Sequence, residues 1–268
     1  MRLDVQRREL QFREPVRAAF GELERREILE VVVTGRDAIT GRGEAAPLEP
    51  YDGVSIEAAE EALEACREPL AAADGASREH VLAGCAERCA LPQALAAVDL
   101  ALWDLAGRRA GRPVAELLGE TPAQAVPVNA TVGSADRSGA AELAAVAAAG
   151  GFGCVKLKVG IGDDAGRVAA VRAAVGPDVA IRLDANGAWS VEQAAATLRA
   201  LTAADIELCE EPVSGIAAFR ELQDILAGEV AISMDETASR PGALDSGAAD
   251  LVCLKVATCG GITGLLRA

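Results

Sequence analysis

Histidine occurs once in the 268 residues, at position 80, and lysine only at 156, 158 and 255, against twenty-three arginines. Aromatic side chains make up 3% of the chain. With so few rings and so much alanine, closely packed helices are expected rather than an aromatic-lined β-sandwich. The lone His80 reads as a surface helix residue, and its isolation disfavours a zinc site. None of the seven cysteines (66, 85, 89, 154, 209, 253 and 259) forms a C-x-x-C pair, and their number is odd. Several sit inside apolar runs, where cysteine acts as a small hydrophobe in a reducing compartment. The N-terminus "MRLDVQRREL" has no apolar core, so no signal peptide is expected and a cytoplasmic location is predicted. No apolar stretch reaches the ~20 residues that span a bilayer. A basic surplus is also missing. The net charge of −15 argues against nucleic acid or an anionic membrane as partner. A small anionic substrate stays compatible, because a bound cation inverts the field locally.

What is present divides into two textures. Over residues 1–122 strands precede helices: 28–34 ("ILEVVVT") reads as a strand, 41–47 as a turn and a short extended piece, and 57–73 and 92–109 as helices with an apolar stripe. This is an α+β module. Over 123–268 strands and helices alternate. The strands are expected at 126–130, 154–159, 180–183, 206–209, 230–234 and 251–254. The helices are expected at 140–149, 164–175, 191–203, 216–227, 243–246 and from 264 onward. Six βα units of this regularity predict an α/β fold with a parallel sheet of (β/α)8-barrel type, incomplete after about six units. An open doubly wound sheet is the alternative, weakened by the absence of G-x-G-x-x-G after the first strand. An open barrel of six units exposes strand edges. It is therefore expected to be a fragment of a longer enzyme, to close by self-association as a homo-oligomer, or to be inactive.

Five of the six apolar runs end in ionisable residues: Lys156 and Lys158, then Asp184, then Glu210 and Glu211, then Asp235 and Glu236, then Lys255. Strands buried on both faces should stay apolar, and barrel active sites assemble at their C-terminal ends. Alternation puts Lys156 and Lys158 on one face. Carboxylates from three neighbouring strands call for a cation, and oxygen-only ligands suit Mg²⁺ or Mn²⁺. Taken singly, Asp184 also reads as an Asx-turn residue, Glu210 and Glu211 as a solvated strand end, and Asp235 as a helix cap. "CGGITG" (259–264) reads as an anion-binding turn or as simple glycine punctuation. Arginine cannot release its proton at neutral pH, whereas lysine can once its surroundings lower its pKa. The retained lysines are therefore read as acid/base groups, Lys158 and Lys255 on opposite sides of a metal-held substrate. Lys156 is expected to tune Lys158 and to contact a substrate carboxylate. A divalent metal with a lysine base suits removal of a proton α to a carboxylate through an enediolate.

These residues resemble the enolase superfamily, in its muconate-lactonizing subgroup. The likeness runs through "GRGEAAPLEPYDG" (41–53), "ALAAVDLALWDLAGRRAGRPVAELLG" (94–119), "KLK" (156–158), "RLDANGAW" (182–189), "EEP" (210–212), "MDET" (234–237) and "LKVATCGGITG" (254–264). The resemblance implies Asp184, Glu210 and Asp235 as Mg²⁺ ligands, Lys158 and Lys255 as the catalytic lysines, and Asn186 in a supporting role. It also implies a mobile loop at 12–20 that selects substrate with Tyr51. Within the subgroup, "RLDANGAW" and "EEPVSGIAAFREL" are most similar to o-succinylbenzoate synthases, dehydratases of menaquinone synthesis. L-Ala-D/L-Glu-type dipeptide epimerase and muconate cycloisomerase are the alternatives, and a truncated, non-catalytic barrel is the alternative of another class.

Overall fold

The computed structural model describes every residue except Ala19, Phe20, Glu120 and Ser134. The chain forms two compact units, Met1–Gln124 with Lys255–Ala268, and Ala125–Leu254.

The first unit carries an antiparallel sheet of β1 (Arg2–Ala18), β2 (Gly21–Thr34) and β3 (Thr40–Ala45), in that order. Leu29, Val31 and Val33 are fully buried on one face of β2, and Glu30 and Val32 between them are partly exposed, the period of two of a half-buried strand. Helices α1 (Glu49–Asp52), α2 (Ile56–Ala65), α3 (Arg67–Ala72), α4 (Arg78–Arg88), α5 (Pro92–Ala110) and α6 (Val114–Leu118) follow. Helix α5 packs on β2 and β3. Alternate glycines make that approach possible, since a Cβ at Gly41 or Gly43 would overlap the carbonyls of Ala101 and Ala97. His80 is exposed on α4.

Two expectations in this unit need correction. The helix predicted over 57–73 breaks at Cys66, because Pro69 offers no N–H to the carbonyl four residues back and crowds it. The loop predicted at 12–20 is, as far as Ala18, a continuation of β1. Pairing with β2 is interrupted between Gln11 and Val16 and resumes over Val16–Ala18, and Ala19 and Phe20 lie outside the described residues.

The second unit is a parallel sheet of β4 (Ala130–Val132), β5 (Cys154–Lys158), β6 (Ala180–Asp184), β7 (Ile206–Glu210), β8 (Ile232–Met234) and β9 (Leu251–Val252). Helices α7 (Arg137–Ala149), α8 (Asp164–Val175), α9 (Val191–Leu201) and α10 (Ile216–Leu226) make the first four crossovers. Each strand pairs with its successor in sequence. This single winding is that of a (β/α)8-type barrel, six strands of which lie in this chain, whereas a doubly wound sheet reverses its order midway. Val155, Leu157, Ile181, Leu183, Phe219 and Leu222 are fully buried in its core. The first strand begins later than predicted: Val126 and Val128 are exposed, and Pro127 between them cannot donate to a ladder. The helix predicted at 243–246 is absent. That stretch, bounded by Pro241-Gly242 and Gly247, is too short to nucleate one, and a 3₁₀ turn at Glu236–Ser239 stands earlier. Helix α11 (Ile262–Leu265) belongs to the first unit. Among the described residues no helix is long and apolar enough to cross a membrane.

Helix α9 opens with a reciprocal cap: Ser190 Oγ accepts from the Gln193 N–H, and the Gln193 side chain accepts from the Ser190 N–H. Ser190→Ala is expected to cost about 1 kcal/mol of stability in chemical denaturation.

Candidate active site at the strand ends

Within β5, Val155 and Leu157 are fully buried on one face, and Lys156 and Lys158 occupy the other. Parallel register then sets Lys158 opposite Asp184, and Asp184 opposite Glu210. The predicted line of ionisable groups across β5, β6 and β7 is therefore present. Lys158 Nζ donates to Asp184 Oδ2 and Asn186 Oδ1, both at 2.6 Å. Lys156 Nζ donates to Glu210 Oε2 at 2.8 Å and lies 3.1 Å from Asp184 Oδ2. Both carboxylates are buried. Burial pushes the Asp184 carboxyl upward, but the Lys158 bond and the charges of both lysines outweigh it and hold the group below the usual carboxylate range. Burial likewise pulls Lys156 down, yet Glu210 and Asp184 hold its ammonium above the ordinary lysine value. The lysines thus supply part of the positive charge that adjacent carboxylates demand.

Asp235 follows β8 and is positioned by Glu211, which was expected only as an ionisable strand end. Buried Glu211 accepts from the Asp235 N–H at 2.7 Å, the Thr237 N–H at 3.0 Å and the Thr237 hydroxyl. These bonds hold Glu211 at φ +42°, where a non-glycine residue is strained. Burial raises its carboxyl, and those hydrogen bonds offset this only in part. The doubled acid in "EEP" was the available signal: one carboxylate faces the site and the other braces it. Asn186, at φ +45°, donates Nδ2 to Glu236 Oε1 at 3.1 Å while accepting from Lys158. Arg167 of α8, missed in the sequence, donates to the carbonyls of Lys158 at 2.7 Å and Gly133 at 3.0 Å, fixing the ends of β5 and β4.

Glu210, Asp235 and Cys253 each place one ligand atom within 4.8 Å of the others. Of the three predicted ligands Glu210 and Asp235 stand in this group, and Asp184 lies outside it, tied to Glu210 by Lys156. Three buried carboxylates with no histidine among them fit a hard divalent ion such as Mg²⁺. Lys255 falls in the first unit, where Nζ donates to Tyr51 Oη at 2.7 Å and lies 5.2 Å from the ring centroid. If a divalent ion occupies the strand ends, Glu211→Ala is expected to weaken Mg²⁺ binding about 10- to 100-fold in calorimetric titration, the usual cost of losing an outer-shell partner.

Residues 2–119 match the mandelate racemase/muconate lactonizing enzyme N-terminal domain, and residues 139–268 match the enolase C-terminal domain-like family. The chain belongs to the enolase superfamily, in its muconate-lactonizing branch. Within this superfamily it is 34% identical to the hydrophobic dipeptide epimerase of Roseobacter litoralis, over 96% of this chain and 76% of that protein. It is 36% identical to the hydrophobic dipeptide epimerase of Enterococcus faecalis over 66% of this chain, and the match spans about half of that protein, 51%. o-Succinylbenzoate synthases and a muconate cycloisomerase of the superfamily also match. Among solved superfamily structures, the Enterococcus faecalis dipeptide epimerase, complexed with Mg and L-Leu-L-Tyr, superposes with a TM-score of 0.87. It is 28% identical, covering 98% of this chain and 76% of that one.

Proposed function

We propose that this chain takes part in abstraction of a proton α to a carboxylate, and that the reaction is epimerisation of a dipeptide. The observation that carries the first half is the Lys158 amino group, whose Nζ lies 2.6 Å from both Asp184 and Asn186 at the end of β5. A lysine so placed is a base whose geometry is set before substrate arrives. Asp184, Glu210 and Asp235 would hold the divalent ion, which supplies charge stabilisation for the carboxylate as its α-carbon loses the proton. Lys156, kept protonated by Glu210 and Asp184, holds those two side chains together and offers positive charge to a substrate carboxylate. Lys255, three residues beyond β9, is assigned the second acid/base role by its place in the motif "LKVATCGGITG". Epimerisation then has one lysine take the α-proton and the other give its own, solvent-derived proton to the opposite face.

Support for a dipeptide comes from the two hydrophobic dipeptide epimerases that match, one of them over 96% of this chain and 76% of its own length. Dehydration of the o-succinylbenzoate synthase type keeps one specific support, the likeness of "RLDANGAW" and "EEPVSGIAAFREL" to those synthases. Incubation with Mg²⁺ in D₂O separates the two. An epimerase places deuterium at the α-carbon of recovered dipeptide and inverts it, whereas a dehydratase consumes its hydroxy acid irreversibly. No exchange and no turnover across hydrophobic dipeptides, N-succinyl amino acids and the o-succinylbenzoate precursor would overturn both readings.

A further inference from the structure

Cys253 has no place in the chemistry above, yet its sulfur lies within 4.8 Å of ligand oxygens on both Glu210 and Asp235. Its position follows from the sheet. The Cys253 N–H donates to the Met234 carbonyl at 2.7 Å, extending the β8–β9 ladder by one residue beyond Val252 and setting Cys253 beside Asp235, the residue after β8. Glu210 and Asp235 are both buried, and Cys253 is half-buried. Cys209 is no rival: it precedes Glu210 in β7, so its side chain takes the opposite face and is fully buried in the core.

We propose that Cys253, Glu210 and Asp235 form a mixed sulfur–oxygen site for a thiophilic divalent ion of the Zn²⁺, Co²⁺ or Cd²⁺ class. The inference rests on the reading that a divalent ion is held at these strand ends, and adds a ligand and a metal class to it. Oxygen and sulfur ligands lie about 2.0–2.3 Å from such an ion, so donors this close together share one with little movement. A thiolate adds nothing for Mg²⁺, which takes oxygen, and much for a softer ion. Asp184, engaged by Lys156 and Lys158, stands outside the trio. The centre therefore has two overlapping donor sets, all-oxygen for a hard ion and sulfur-containing for a soft one, and a soft ion competes with Mg²⁺ for Glu210 and Asp235.

Cobalt reports on this directly. Titrated with Co²⁺ under a phosphine reductant, the full chain is expected to develop a near-ultraviolet sulfur-to-cobalt charge-transfer band. The band is expected to be lost in both Cys253→Ser and Glu210→Gln, with circular dichroism confirming that each variant is folded. Co²⁺ affinity should fall at least about 10-fold in Cys253→Ser, the lower end of what even outer-shell partners cost, while calorimetric Mg²⁺ affinity is unchanged in that variant. No band in the parent chain overturns the proposal, as does a band that survives Cys253→Ser, which would place the sulfur at another cysteine, or one that survives Glu210→Gln, which would take that carboxylate out of the site. Mg²⁺ titration of the parent chain is a separate readout. Absence of Mg²⁺ binding removes the reading of a hard-ion centre, and the cobalt band still decides the role of Cys253.

Discussion

Lys158→Arg is expected to lower α-proton exchange about 10²- to 10⁴-fold, the range that a positioned acid/base group contributes. Arginine keeps the positive charge and can still pair with Asp184, so the fold and Mg²⁺ binding should survive. What it loses is the ability to give up a proton near neutral pH. The measurement is the rate of deuterium incorporation into the preferred substrate in D₂O, with a thermal melt to verify the fold. Lys156→Arg is the informative partner. Lys156 is held protonated by Glu210 and Asp184, so its charge, not its basicity, is what the site uses, and arginine should retain more exchange there than at 158. Full exchange in Lys158→Arg would remove the base assignment. Equal loss in both variants would assign the effect to steric crowding at the end of β5.

The sequence already separated those two lysines, Lys158 as an acid/base group and Lys156 as its electrostatic neighbour, but not the carboxylates that hold Lys156 charged. Strands β5, β6 and β7 were legible because each is a short apolar run that stops at an ionisable residue, a pattern that local alternation turns into a direction. Asp184 opposite Lys158 then required only parallel register. The site's bracing was not legible. Glu211 looks like a duplicate of Glu210, and only the fold around Thr237 shows that the second carboxylate receives three hydrogen bonds and fixes the backbone of Asp235. Cys253 read as a strand hydrophobe, because nothing local reveals that β9 pairs beside Asp235. Strand β1 was hidden for the opposite reason. It is polar on both sides along much of its length and is supported by ion pairs to its neighbour, such as Arg7 with Glu27 at 2.7 Å, which leave no hydrophobic period to detect.

Asp99 shows the same limit in the first unit, and its removal should have the largest effect on stability. It stands in the middle of α5, in "AAVDLALW", fully buried where the helix pattern asks for an apolar residue. Its carboxylate accepts from the Thr263 N–H at 2.8 Å and the Thr263 hydroxyl at 2.6 Å, so it caps α11 from another element. The Thr263 oxygen in turn accepts from Trp103 Nε1 and Arg78 Nε, each at 3.1 Å, and the Arg78 guanidinium lies 3.4 Å from the Trp103 ring centroid. The glycine-rich turn before α11 follows from this contact. Gly261 sits at φ +104°, and a Cβ there would overlap the Asp99 carboxylate, so "CGG" serves backbone approach at this point. Asp99→Ala leaves the buried Thr263 N–H and hydroxyl without their acceptor, while Arg78 keeps Thr263 and Glu79 as partners, and each orphaned donor costs about 1–3 kcal/mol. Chemical denaturation should report that loss, and hydrogen exchange should show the amides of Ile262–Leu265 opening faster than those of β2. Glu116→Ala removes only an exposed pair with Arg112 on α6 and should cost at most about 1 kcal/mol. Unchanged protection of Ile262–Leu265 in Asp99→Ala would mean that α11 is held on α5 by its apolar contacts, with the buried carboxylate contributing nothing to its attachment.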